Sequence, residues 1–102
     1  VDPLDGTREF VNRTGEFTVN VALVHGTRAV LGVVHVPVQG VDYYACEGVG
    51  AFRQERGGVA HRIAVRPRLA APPRVIGSRS HRGERLAPFL ERLGAHEFRP
   101  CG

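Results

Sequence analysis

A chain of 102 residues makes at most one ordinary domain, and 42% hydrophobic with 24% charged residues is a globular mixture rather than a disordered tail or a low-complexity stalk. Its longest unbroken apolar stretch falls far short of the ~18 residues a membrane span needs, and no basic-then-apolar leader opens it, so no secretory signal is expected. The net charge of +4 comes from 14 basic residues that are all arginine, scattered from Arg8 to Arg99 where a nucleic-acid patch would cluster, so an arginine-biased genome or an anion-handling protein fits better.

In chain order, Val1 and Asp2 read as the end of a strand, and Asp2 to Thr7 as a turn stiffened by Pro3 that opens into a short helical turn. From Phe17 to Val65 strand follows strand. Phe17, Val19, Val21 and Leu23 alternate with Thr18, Asn20 and Ala22, the period of a strand with one strongly apolar face. His25-Gly26-Thr27 is a short turn. Arg28 to Val36 is apolar on both faces and is expected to be buried on both sides. Pro37 ends it, since proline cannot donate to a sheet ladder. Val41 to Cys46, Ala51 to Gln54 and Val59 to Val65 are three further strands set off by Gly40, Gly48, Gly50, Gly57 and Gly58. Short connections imply antiparallel neighbours. Residues 1–66 are therefore expected to form one antiparallel sheet, covered by layers this chain mostly lacks.

Arg66 to Pro73 has no period and three prolines, so 67–73 reads as a crossing segment between domains. Arg74 to Gly77 is a short strand. Leu86, Phe89, Leu90 and Leu93 fall at i, i+3, i+4 and i+7 of a helix that Gly94 terminates. Pro88 leaves open whether that helix starts near Ala87 or bends there. Strand then helix marks 74–102 as the start of an α/β unit.

The chemistry concentrates in Asp2-Pro3-Leu4-Asp5-Gly6-Thr7. Two carboxylates three residues apart can converge on one point, and the Leu4 carbonyl between them is a third oxygen donor. Carboxylate and carbonyl oxygens suit Mg²⁺, which keeps the rest of its shell for water and substrate phosphate. Gly6 permits a sharp turn and a close ligand approach. The amides of Gly6 and Thr7 would then cradle a phosphate, and the Thr7 hydroxyl could hold an attacking water. Asp-Pro or Asp-Gly alone would be read as an ordinary turn; the whole string followed by Phe10 is not.

The string D-P-L-D-G-T-R-E-F resembles the metal-binding motif of the inositol monophosphatase superfamily, the lithium-sensitive Mg²⁺-dependent phosphatases. Its Thr7-Arg8-Glu9-Phe10 ending is closer to the bacterial 3'(2'),5'-bisphosphate nucleotidase subfamily (the CysQ type), with Arg8 in place of the usual lysine. Gly15 to Leu23 looks like that subfamily's next strand, Leu31-Gly32-Val33-Val34 with Pro37 like the one after, and Gly77-Ser78-Arg79-Ser80-His81 like its entry to the second domain.

The resemblance implies an α+β fold: a layered α/β sandwich of the inositol monophosphatase/fructose-1,6-bisphosphatase type, of which this chain covers the antiparallel sheet of the first domain and the start of the second α/β domain. It implies metal ligation by Asp2, the Leu4 carbonyl and Asp5, phosphate binding by Leu4, Asp5, Gly6 and Thr7, and orientation of the nucleophilic water by Thr7, with Asp5 also catalytic. His81 would touch the nucleotide; the plain alternative is a solvated His81 beside a helix-capping Ser80. The family's upstream Glu and Asp and its downstream Trp-Asp are not in this sequence. With no methionine in the chain, it is read as an internal piece of a longer protein, inactive by itself.

The expected activity is Mg²⁺-dependent hydrolysis of 3'-phosphoadenosine 5'-phosphate to AMP and phosphate. The expected partner is thus a small-molecule phosphate ester, an adenosine bisphosphate, and no nucleic-acid polymer. An inositol-1-monophosphatase or other sugar phosphatase of the same superfamily is the rival within the class, and an Arg-rich RNA-binding module the rival outside it. Cys46 and Cys101 have no metal or redox spacing, which points to the cytoplasm and leaves peripheral association with the inner membrane open. Cys46 is expected to be a buried small hydrophobe, and His25, His35, His61 and His96 to be surface or sheet residues.

Overall fold

The structure, a computed structural model, describes residues 1–79, 83 and 85–101. It divides into two compact units, Val1–Val65 and Arg66–Gly102. His81 and Ser80 lie outside the described residues.

The first unit carries β1 (Asp2–Asp5), α1 (Thr7–Val11), β2 (Thr18–His25), β3 (Arg28–Val36), β4 (Val41–Cys46), β5 (Gly50–Glu55) and β6 (His61–Ile63). The strands form one sheet in the order β1-β2-β3-β4-β5-β6, each antiparallel to the next. This is the antiparallel sheet the short connections imply. Asp2 to Asp5 is its edge strand and not a turn. Pro3 is tolerated because an edge strand needs no donor on its outer side.

The alternation of β2 carries through the ladder. Val21 faces Val33 and Leu23 faces Leu31, while Asn20 faces Val34 and Ala22 faces Gly32. Directly opposed residues share a face, so the first four line one side and the second four the other. Beyond them, Tyr44 stacks on Phe52 with ring centroids 5.6 Å apart, and the Arg62 guanidinium lies 5.8 Å from the Phe52 centroid. His35 Nδ1 and Asp42 Oδ1 meet at 2.6 Å across β3 and β4. Arg28 pairs with Glu47, and Arg53 Nη2 donates to Glu55 Oε1 at 2.8 Å. The hydrogen bonds of Arg53 to Tyr43 and then to Glu55 raise its guanidinium above the ordinary arginine value.

β3 is not buried on both sides. Leu31 and Val34, on opposite faces, are 38% and 39% exposed. Among the described residues Val41 alone belongs to the buried hydrophobic class. A single sheet layer explains this: strand pairing satisfies the backbone but covers neither face. Cys46 is accordingly half-buried rather than buried, and both cysteines are free.

The second unit carries β7 (Arg74–Ser78), α2 (Leu86–Leu93) and β8 (Glu97–Cys101). β7 and β8 pair in parallel, with Val75 opposite Phe98 and Gly77 opposite Pro100. This strand-helix-strand arrangement is an α/β unit, with a second strand the sequence pattern leaves unmarked. The Phe98 ring lies over Gly77, where a Cβ would come within 2.9 Å of it. Pro88 neither delays nor bends α2. It is the third residue of the helix, in the first turn, where a backbone N–H has no intrahelical acceptor to lose. Gly94 ends the helix at φ 75°, its N–H donating to the Glu91 carbonyl at 3.3 Å.

Candidate metal and phosphate site

In a regular strand, residues three apart point to opposite faces. Asp2 and Asp5 would then be useless as a pair. The ladder shows how the chain avoids this: Asp2 stands opposite Asn20 and Asp5 opposite Thr18, three steps on β1 against two on β2. The extra residue is a β-bulge, which reverses the facing of everything beyond it. Asn20 and Thr18 are two apart on β2 and share a face, so both carboxylates lie on that face. The bulge does what the sequence reading assigned to a turn.

Local hydrogen bonds steady the two acids. Asp2 Oδ1 accepts from the Leu4 amide at 3.3 Å. Asp5 Oδ2 accepts from Asn20 Nδ2, also at 3.3 Å. The Asn20 Oδ1 atom is buried and has no hydrogen-bond partner. An open depression of about 440 Å³ lies beside Asp2 and Asn20, with Ala22, Gly32 and Val34 in its floor.

Gly6 makes the corner between β1 and α1. It sits at φ 86°, ψ 44° as the N-cap residue, and its carbonyl accepts from the Phe10 amide at 2.9 Å. A Cβ here would meet the Glu16 carbonyl oxygen at 3.2 Å and the Phe17 Cα at 3.3 Å. So Gly6 is required by its conformation and by the chain's own return past it. Thr7 is the first residue of α1, and its amide belongs to the first turn, which has no acceptors within the helix. Phe10 of that turn packs edge-to-face on Phe17 with centroids 5.0 Å apart, which fastens α1 to the start of β2.

The structure thus brings Asp2, Leu4, Asp5, Gly6 and Thr7 into one continuous strand-corner-helix segment. His81 lies outside the described residues. Sequence reasoning missed Asn20, which it took as one of the polar positions of an alternating strand. The available signal was an asparagine where a strand seldom keeps one; its meaning depends on the bulged register. The donors at hand are hard oxygens, which is the chemistry Mg²⁺ accepts. Among the described residues no group of three His, Cys, Asp or Glu side chains could hold a metal ion. Two acids and a carbonyl are therefore a partial shell that fits such an ion without completing its coordination.

A family model described as the inositol monophosphatase family matches residues 1–97. The chain belongs to that family. It is 51% identical over 102 residues to the 3'(2'),5'-bisphosphate nucleotidase CysQ of Salmonella typhimurium, covering all of this chain and 40% of that protein. The CysQ of Escherichia coli K12 is 49% identical over the same length, again with 40% of the relative covered. Among solved structures, CysQ from Bacteroides thetaiotaomicron, a bacterial member of the family, superposes with a TM-score of 0.78 at 36% identity, over 100% of this chain and 44% of that one. Mycobacterium tuberculosis SuhB gives the same TM-score at 24% identity, a likeness of fold. The chain spans about 40% of the length of the curated relatives it matches. The family's layered α/β architecture, expected from the motif, is supported by both structural matches.

Proposed function

We propose that this chain is the metal- and phosphate-binding segment of a Mg²⁺-dependent phosphomonoesterase, and that the whole protein is a 3'(2'),5'-bisphosphate nucleotidase releasing phosphate from 3'-phosphoadenosine 5'-phosphate. The observation that carries this reading is the bulge in β1, which puts Asp2 and Asp5 on one face directly before the Gly6 corner. The likeness to the CysQ relatives supports the nucleotide over the family's other phosphate esters.

Divalent cations, when bound, lower the pKa of a coordinated water and screen the phosphate charge. The chain's own residues do the rest. Asp2 and Asp5 would hold the ions with the Leu4 carbonyl. The Thr7 hydroxyl would accept a hydrogen bond from the attacking water and so aim its lone pair at phosphorus. The Gly6 and Thr7 amides would donate to phosphoryl oxygens, whose negative charge they offset as the ester bond breaks. No side-chain nucleophile takes part.

The test is phosphate release by the protein at its natural length from the adenosine bisphosphate and from inositol 1-phosphate, across a Mg²⁺ series. Faster turnover of the nucleotide is expected, together with a loss of at least ~100-fold in kcat/KM for Asp5→Asn, since a metal ligand acts on both binding and chemistry. A clear preference for the inositol ester would assign the protein to the sugar-phosphatase branch instead. Full activity of Asp5→Asn at low Mg²⁺ would remove the site altogether.

A further inference from the structure

Asparagine is a poor strand residue, because its carboxamide has two donors and an acceptor to satisfy on a surface built for packing. Asn20 is the third residue of β2 and is paired on both sides, opposite Asp2 on β1 and Val34 on β3. Its Nδ2 donates to Asp5 Oδ2 at 3.3 Å, while its Oδ1 is buried with no hydrogen-bond partner. The orientation of the carboxamide follows from Asp5: turned over, two oxygens would face each other. The bond to Asp5 is therefore made while a buried acceptor is left unsatisfied, and that arrangement weakens the fold. An apolar side chain of the same branching, leucine, would remove the orphaned oxygen. What leucine could not do is hold Asp5.

We infer that Asn20 is a positioning residue: it fixes the Asp5 carboxylate by one oxygen and leaves the other for a divalent cation. The inference rests on the reading of Asp2 and Asp5 as metal ligands. Outer partners of this kind set the rotamer of a ligating carboxylate, and their loss costs ~10- to 100-fold in metal affinity or activity. The side chain itself touches neither substrate nor ion.

The experiment uses the protein at its natural length, with Mg²⁺ alone as the probe. Metal affinity is measured calorimetrically, and the thermal midpoint is measured without metal, for Asn20→Leu, Asn20→Ala and Asp5→Asn. Asn20→Leu is expected to keep or raise the metal-free midpoint while weakening Mg²⁺ binding by ~10-fold or more. Its phosphatase activity should return to within about threefold of the parent at saturating Mg²⁺, because the ligand remains and only its orientation is loosened. A residue that merely supported the sheet would lower the midpoint and leave the half-saturating metal concentration in place. Asn20→Ala should show the same affinity loss should the leucine prove too large to fold.

Mg²⁺ affinity within about twofold of the parent in either folded variant would overturn the inference, since outer-partner losses run well above that. So would loss of the folding transition in both, which would make Asn20 an element of the fold. The Asp5→Asn arm separates the two levels. If it loses affinity while the Asn20 variants keep theirs, the role of Asn20 alone falls. If it too binds Mg²⁺ normally, the metal-site reading falls with it.

Discussion

Replacing Gly6 with alanine tests the corner on which the site depends. Two costs apply there. The backbone at φ 86°, ψ 44° is left-handed, which is worth about 1–2 kcal/mol against any residue with a Cβ. The added Cβ also meets the Glu16 oxygen at 3.2 Å and the Phe17 Cα at 3.3 Å, and both are backbone atoms that cannot swing aside as a side chain would. Relieving that contact means moving the start of β2 or the β1–α1 corner, for about 1 kcal/mol more, the low end of overpacking costs. Gly26 supplies an internal control. It is also left-handed, at φ 64°, but nothing lies within 4 Å of where its Cβ would stand. Urea unfolding of the natural-length protein should show Gly6→Ala destabilised by about 2–3 kcal/mol and Gly26→Ala by about 1 kcal/mol. Activity should separate them further, with Gly6→Ala losing at least ~10-fold in kcat/KM and Gly26→Ala unchanged, because only the first displaces Asp5 and Thr7. A Gly6→Ala variant no less stable than Gly26→Ala, with normal turnover, would refute the reasoning about the corner.

Phe10→Ala removes the edge-to-face contact with Phe17 at 5.0 Å; because Phe10 is half exposed, the expected loss is about 1–2 kcal/mol, read from the shift of the urea midpoint. It should also raise KM for substrate more than Gly26→Ala does, since α1 carries Thr7. Pro88→Ala should change stability by less than about 1 kcal/mol, whereas Leu90→Pro, in the body of α2, should cost about 3 kcal/mol or more; equal effects would contradict the placing of Pro88 in the first turn.

The hairpins were open to sequence reading because each of their signals is local. β3 and β4 were bounded to the residue, Arg28 to Val36 and Val41 to Cys46, since a turn precedes the one and Pro37 to Gly40 separates the two. The amphipathic spacing of Leu86 to Leu93 made α2 equally legible. β1 was misread because Asp-Pro and Asp-Gly are turn dipeptides, and what makes those residues a strand is a partner more than ten positions away. β8 was missed for a similar reason: Glu97 to Cys101 offers one large apolar residue and a proline, and it becomes a strand only by lying parallel to β7. At the site, the residue types suggest the chemistry proposed above, but the common facing of Asp2 and Asp5, and the bond of Asn20 to Asp5, required the register. Openness of the sheet on both faces was the reverse case. The valine-rich pattern of β3 reports what a covered strand would want, not what this stretch of chain supplies.

The irregularity in β1 has one more effect. Acids spaced by two would already have looked the same way from an unbroken ladder, so alignment by itself did not demand an inserted residue. Such a ladder, however, would keep the inward-facing peptide groups of this edge strand matched with those of β2. A surplus residue frees a peptide group from that matching. Leu4, inside the irregular stretch, turns its N–H to Asp2 Oδ1 at 3.3 Å. A backbone amide beside the two acids is thereby tied to one of them.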